Sequence, residues 1–258
     1  MNAIVERLGR ARLAGKVVRW PRARQPSDEA EGYRLQTELA AWLEGRGWGR
    51  QTGWKVGATT GVMQKLLSID HPCAGTVLAE RTFRGSRTLP FASLRRPGIE
   101  CEIAVRLGSD PPIARAPFDA RRIAPYVATV MPAMELVDDR YGDFRTWTPA
   151  ALIADDFFHS ATVLGPEVAN WRIFDLAGMS GVTRIDGVEV GRGRGGDVMG
   201  DPIAALAWLA NRLAELGREL KAGQFVLLGS LVPVQWLERP ATAETELVGL
   251  GKVSLTLT

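Results

Sequence analysis

The segment RPGIECEIAVRL (residues 96–107) alternates strictly, and this constrains the chain more than any other stretch. Successive side chains of a strand point to opposite faces. Ile99, Cys101, Ile103 and Val105 therefore share one apolar face, and Glu100, Glu102 and Ala104 share the other. The apolar placement of Cys101 argues against a nucleophilic role. Two like charges side by side on a strand add nothing to its stability. The pair belongs either on an ordinary solvent-facing strand surface or in a site that holds a cation.

A third carboxylate bears on that choice. Glu135 lies in YVATVMPAMELVDD (126–139), where almost every residue from Val127 to Val137 is apolar. A glutamate in such a run must be paired with an arginine, neutralised or bound to a cation, because burying its charge alone is very costly. It lies 33 residues beyond Glu102, so only the fold can unite the three. If united, three oxygen donors with open positions suit Mg²⁺ or Mn²⁺. Zinc is disfavoured, since the two histidines, His71 and His159, fall in no ligand spacing. His159, beside Phe157 and Phe158, reads as a pocket-wall or core residue.

TGWKVGATT (52–60) places Lys55 in a short apolar strand between Gly53 and Gly57, where backbone or ligand can approach closely. Such a lysine either clamps a carboxylate and carries protons once buried, or snorkels to the surface. Gly191-Arg192-Gly193-Arg194-Gly195-Gly196 matches G-x-G-x-x-G but follows a hairpin and does not lead directly into a helix, so it reads as a glycine-rich turn and not as a dinucleotide site. No G-x-S-x-G elbow is present.

The remaining pattern sets the fold class. Residues 2–14 and 27–43 carry helical periodicity, the second with Ser27 as its expected N-cap, and GRGWGR (45–50) ends it. Strand-like runs follow at 52–57, 75–78, 99–106, 133–138 and 160–164, and Asp186-Gly187 marks a hairpin. A helix begins at Asp201-Pro202 and exits at Gly217, followed by a buried strand at 225–231 and a strand-like terminus. The expectation is an α+β protein: a helical N-terminal cap over 1–50 on a mixed, strand-rich catalytic domain over 51–258.

Composition excludes several classes. The 46% hydrophobic content allows a sizeable core, and 32 basic against 29 acidic residues is too even for a nucleic-acid stripe. The arginines at 7, 10, 12, 19, 22 and 24 read as a solvated helix and loop. Two cysteines exclude a disulfide scaffold. No apolar run approaches the roughly 20 residues of a membrane span, and no signal-peptide stretch is visible. A soluble cytoplasmic protein with neither nucleic-acid nor membrane partners is expected.

Taken in order, the motifs resemble those of the 2-keto-4-pentenoate hydratases and the related 4-oxalocrotonate decarboxylases, within the fumarylacetoacetate hydrolase superfamily. EGYRLQ (31–36), GWKVG (53–57), HPCAGTVLAE (71–80), IECEIAV (99–105), PAMELVDDR (132–140), IADDFFHSATVLG (153–165), the stretch 191–217 and GQFVLLGSL (223–231) carry the likeness over most of the chain. The resemblance implies a fumarylacetoacetate-hydrolase-like fold assembled into homo-oligomers, Mg²⁺ or Mn²⁺ at Glu100, Glu102 and Glu135, an active-site role for Lys55 and a lid near Glu80.

It further implies a lyase: a hydratase that adds water to a 2-hydroxy-2,4-dienoate, through its 2-oxo-3-enoate tautomer, to give a 4-hydroxy-2-oxo acid. Lys55 would hold the substrate carboxylate or relay a proton, Glu80 or Asp155 would serve as acid–base partner, and Gly229, Ser230 and Leu231 would line the pocket of this small 2-oxo acid. The alternatives are a decarboxylase of a 2-oxo-3-enedioate, or a non-catalytic paralogue of the same fold. Two features depart from the family pattern. Asp156, Phe157 and Phe158 replace a small polar stretch, which favours an apolar substituent at the substrate's distal end. Asp201 stands where hydratases often carry His or Asn.

Overall fold

The computed structural model describes residues 2–258. Helix α1 (Ala3–Leu13) is capped by Asn2, whose side chain accepts from the Ile4 amide, and α2 (Glu29–Leu43) follows. The α2 cap is Asp28 and not Ser27. Asp28 Oδ1 accepts the Glu31 amide at 2.9 Å, while the Ser27 amide donates back to Glu31 Oε2 at 3.1 Å. The cap thus falls one residue later than the pattern predicts, and Glu31 reaches back past it to the Ser27 amide.

The strand body starts with β1 (Gln51–Gly57), α3 (Gly61–Leu67), β2 (Cys73–Leu78), β3 (Thr82–Arg84), β4 (Ser86–Leu89) and β5 (Pro97–Leu107). Then come α4 (Ala120–Ile123), β6 (Val127–Asp138), α5 (Pro149–Ala154), β7 (His159–Leu164), and the hairpin of β8 (Ser180–Ile185) with β9 (Val188–Arg194). The chain closes with α6 (Pro202–Glu215), β10 (Phe225–Ser230), β11 (Gln235–Trp236), β12 (Ala241–Leu247) and β13 (Gly251–Leu257). Asp201 caps α6 through the Ile203 amide at 2.9 Å, and Gly217 leaves it with φ +67°. The glycine-rich 191–196 stretch is not a turn: its first four residues extend β9, and a short 3₁₀ turn begins only at Gly195.

Among the described residues the strands form two mixed sheets. The larger has the order β2-β1-β10-β5-β6-β7-β3, with β11 also paired to β5; the smaller has the order β4-β13-β12-β8-β9. The β1–β10 pair is parallel, whereas β5 is antiparallel to both β10 and β6. The apolar face of β5 and β6 is sealed by the smaller sheet, where Ile99, Met134 and Leu136 share a cluster with Ala243, Val253 and Leu255. The opposite face carries a separate small cluster including Ala104, Ala133 and Leu227. That face bears the glutamates.

One irregularity opens the larger sheet at a decisive place. On one side of β5 the partner changes: β10 pairs as far as Ser230 opposite Glu102, and β11 resumes at Gln235 opposite Ile99. After Leu231, whose amide still donates to the Cys101 carbonyl at 2.8 Å, the chain at 232–234 leaves the sheet, and Glu100 lines a cavity there. The α1–α2 region packs against this body. Gln36 Nε2 bridges the carbonyls of Ala74 and Ile153, each at 2.8 Å. No helix among the described residues is long and apolar enough to cross a membrane.

Candidate metal centre

Register brings the site together. Glu100 lies directly opposite Glu135 on the paired strands β5 and β6, so both side chains rise from one face, and Glu102 follows on that face. Lys55 of β1 aligns with Leu227 of β10, which aligns with Ala104 of β5, and this places the lysine on the same surface. Each glutamate offers one oxygen, and the three lie within 4.8 Å of one another. Glu102 and Glu135 are each only 1% exposed and Glu100 is half-buried, so the solvent-facing alternative for this strand does not hold.

Lys55 is 2% exposed and does not snorkel. Its ammonium donates to the Phe157 carbonyl at 2.5 Å and stands 3.5 Å from Glu135 Oε1. Gly57 makes room for it: a Cβ there would come within 2.6 Å of the Phe157 ring and 3.1 Å of the Lys55 nitrogen. The Gly229 amide donates to Glu102 Oε2 at 2.8 Å. Gly229 holds that amide in place with φ +110°, a conformation that side chains disfavour, and a Cβ would strike Thr59 at 2.5 Å.

The electrostatics divide the trio. Burial, then the charge of Glu135, pushes Glu100 up to about 7. Burial and the two neighbouring carboxylates raise Glu102 well above the usual range, against the opposing pull of the Gly229 amide and Lys55. Burial also acts to raise Glu135, but the Lys55 charge and the His159 contact outweigh it, so Glu135 lies low. His159 Nδ1 is 2.9 Å from Glu135 Oε1, and burial lowers the imidazole's pKa despite that carboxylate. Glu135 Oε2 is buried without a hydrogen-bond partner. Three crowded carboxylates, one lysine and an orphaned acceptor oxygen are the donor set that a hard divalent cation satisfies.

A cavity of about 510 Å³ adjoins the trio and is lined by Lys55, Glu100 and Glu102 among others. Phe157, Phe158, Ser230 and Leu231 line it too, and Gly229 reaches the centre through its amide. Glu80 and Asp155 are not brought there. Glu80 is exposed on a 3₁₀ turn, Ala79–Arg81, and is absent from the cavity wall. Asp155 is fully buried elsewhere, with Oδ1 held by Arg12 at 2.9 Å and Oδ2 by Arg140 at 2.8 Å. Those two guanidiniums outweigh burial and lower its pKa. A carboxylate clamped in this way does not exchange protons with a substrate.

Sequence reasoning missed the frame around Lys55. Asp156, Phe157 and Phe158 all have positive φ (55°, 49° and 69°), an uncommon run for residues with side chains. Asp156 secures the turn by accepting from the Thr76 amide and hydroxyl, at 2.9 and 2.7 Å, and from Arg12 at 2.8 Å. The turn aims the Phe157 carbonyl at Lys55. No local signal links Arg12 to residues more than 140 positions away. The contact of His159 with Glu135 likewise depends on the irregular β6–β7 register at Leu136/Val137.

Comparison with known proteins shows the family. Residues 77–258 match the model of the fumarylacetoacetate (FAA) hydrolase C-terminal family. A 2-keto-4-pentenoate hydratase of Burkholderia vietnamiensis is 31% identical over 99% of this chain and 97% of its own. The structure of 4-oxalocrotonate decarboxylase from Pseudomonas putida G7, complexed with magnesium and adipate, superposes with a TM-score of 0.91 at 25% identity, covering 99% of this chain and 96% of that one. Fumarylpyruvate hydrolase from Pseudomonas aeruginosa, in complex with Mn²⁺ and pyruvate, shares the fold alone, with a TM-score of 0.64 at 15% identity over 81% and 90% of the two chains. The homologous hydratases and decarboxylases are both lyases, and the solved relatives hold divalent cations at a fold of this kind. With its α+β architecture and its carboxylate trio, the chain belongs to the fumarylacetoacetate hydrolase family.

Proposed function

We propose that the protein hydrates a 2-hydroxy-2,4-dienoate to a 4-hydroxy-2-oxo acid, with a divalent cation held by Glu100, Glu102 and Glu135. The observation that carries the reading is the orphaned Glu135 oxygen within a trio of carboxylates beside a cavity. Glu100, Glu102 and Glu135 would hold a magnesium or manganese ion, which would supply Lewis-acid stabilisation of the negative charge that develops on the substrate's 2-oxygen.

The chain's own groups account for the proton movements. In the first step a proton leaves the 2-hydroxyl and one arrives at C5, giving the 2-oxo-3-enoate. Lys55 is the cavity's ammonium, and it is fixed by the Phe157 carbonyl and Glu135. We assign it delivery of the C5 proton and recovery of the hydroxyl proton. In the second step water adds across C3–C4, its oxygen to C4 and a proton to C3. Thr60 and Ser230 line the cavity; the Thr60 hydroxyl caps α3 and the Ser230 hydroxyl donates to the Val232 carbonyl, and we assign their remaining hydrogen-bonding capacity to orienting that water. Glu80 and Asp155 take no part in this scheme, since neither reaches the cavity.

Decarboxylation of a 2-oxo-3-enedioate is the second reading, favoured by the close superposition on the P. putida decarboxylase. It needs a place for a second carboxylate. Beyond Lys55 the cavity wall holds one cation, Arg192, and Glu189 already takes it in two contacts of 3.1 and 2.9 Å. That pairing supports hydration. A cytoplasmic setting is supported by two buried free cysteines, Cys73 and Cys101, and homo-oligomeric assembly rests on family resemblance.

The test is turnover of 2-hydroxypenta-2,4-dienoate with Mn²⁺. The expected product is 4-hydroxy-2-oxopentanoate with no gas released. Stoichiometric carbon dioxide from 2-oxohex-3-enedioate, without hydration of the dienoate, would overturn the reading.

A further inference from the structure

The cavity is larger and more apolar than an unsubstituted pentadienoate requires. Its 510 Å³ falls within the roughly 300–1,000 Å³ of sites that enclose drug-sized ligands. Away from the glutamates and Lys55 the wall is built from Met63, Phe158, Val232, Val234 and Trp236, and from Val62 at the rim. Phe158 is braced edge-on by Tyr141, Phe144 and Phe157, so this part of the wall is rigid.

Helix α3 adds an independent observation. It is anchored at its start, where the Thr60 hydroxyl accepts the Met63 amide at 3.4 Å and Gln64 Nε2 donates to the Ala58 carbonyl at 3.0 Å. Yet it presents Val62 at 78% exposure and Leu66 at 49%. Val62 belongs to the cavity wall, so an apolar group bound in the cavity would cover it, whereas Leu66 lies off that wall. The rim charges are already engaged: Arg192 by Glu189, and Asp197 by the Arg194 amide at 2.8 Å. The distal cavity therefore offers apolar surface and no uncommitted cation.

We propose that the distal cavity selects 2-oxo acids whose far end is a bulky uncharged group, aryl or long alkyl, with Val62 and Met63 of α3 packing over it. This rests on the hydratase reading for the near end of the substrate, where the trio and Lys55 take the 2-oxo acid. It makes Val62, Val232 and Trp236 specificity determinants, and it predicts an upstream reaction that supplies dienoates bearing a large substituent.

The test uses saturated 2-oxo acids, which cannot be hydrated, so binding is read apart from turnover. Calorimetry with the Mn²⁺-loaded protein compares 2-oxohexanoate, 2-oxohexanedioate and 6-phenyl-2-oxohexanoate. The phenyl compound should bind at least about tenfold more tightly than 2-oxohexanoate, and the dicarboxylate no more tightly than 2-oxohexanoate. Val62→Glu, on an exposed position that the fold does not need, should narrow the phenyl preference to about threefold or less. Equal affinity for the phenyl and short acids, or preference for the dicarboxylate, would overturn the inference while leaving 2-oxo acid binding intact. A phenyl preference without hydration of any dienoate would uphold the distal selectivity and overturn the hydratase reading. Absence of binding by all three acids would overturn both.

Discussion

Two buried acidic clusters sit close together in this protein, and they differ in how their carboxylates are satisfied. In the first, Asp138, Asp155 and Asp156 meet Arg12 and Arg140. Asp155 is held by both guanidiniums, Asp156 by Arg12 and Thr76, and Asp138 by the amides of Arg95 and Arg96. In the second, Glu100, Glu102 and Glu135 meet one lysine and one histidine, and an oxygen of Glu135 is left without any donor. Each cluster holds three carboxylates. In the first every aspartate has donors within the chain, with Arg12 Nε and Arg140 Nη1 left over as spare donors, and the cluster ties α1 to the turn that orients Lys55. The second is complete only with a cation from outside. Burial of acidic groups by itself does not mark a binding site; the count of donors around them does.

The largest effect that tests this contrast is on stability. Arg140→Met leaves Asp155 with Arg12 alone and removes the guanidinium 3.8 Å from Asp138, and should cost about 3 kcal/mol in chemical unfolding. A loss below about 1 kcal/mol would show that the aspartate cluster is not the self-sufficient structural unit described. Next come the trio variants. Glu135→Gln and Glu102→Gln should each weaken Mn²⁺ binding at least about a hundredfold, or ~2.7 kcal/mol, by calorimetry. They should part in the metal-free protein. Glu102→Gln removes a carboxylate whose charge is disfavoured by burial and should raise the thermal midpoint. Glu135→Gln strips Lys55 and His159 of their partner and should lower it. Unchanged Mn²⁺ affinity in either variant would remove that residue from the centre.

The smallest effect is the pH response, and its sign differs between the clusters. Glu100 titrates near 7 in the metal-free protein and must lose its proton to take a cation. Glu102, also raised well above the usual range by burial, must do the same, so Mn²⁺ affinity should fall as pH drops towards 7 and below it, by up to roughly tenfold per unit for each proton displaced. Asp155 is shifted the other way, below its ordinary 3.8. Its contribution to stability is fully present above 3.8 and is lost only as pH falls through the lower folded value. Between pH 5 and 7 the affinity should change while the aspartate contribution stays flat. Mn²⁺ affinity independent of pH over that range would break the distinction.

The legible part of this molecule was the part written in short periods. The alternation at 99–105 put Glu100 and Glu102 on one face, and the apolar run around Glu135 signalled a charge needing compensation. Both signals arise within a single strand. The helix at Asp201-Pro202 and the hairpin at Asp186-Gly187 were legible for the same reason. The placement of Asp155 away from the cavity is not legible, because it depends on Arg12, 143 positions away, and sequence spacing carries no trace of that contact. Glu80 drew attention through the family likeness, yet its turn faces outward. The sequence leaves Lys55 open between a buried clamp and a snorkelling surface lysine, because the turn of three left-handed residues that holds it is one that no propensity favours.

The placement of the trio on β5 and β6 also governs timing. These strands are 11 and 12 residues long and lie in the interior of the larger sheet, paired along nearly their whole length. Fraying from an edge does not reach them, so the amides around Glu102 and Ala133 should exchange with solvent deuterium only through unfolding of the whole sheet. A cation bound to the native state slows such exchange in proportion to one plus the ratio of free ion to dissociation constant, about tenfold at a tenfold excess. Isotope exchange at those few amides thus gives a measure of cation affinity that needs neither substrate nor turnover.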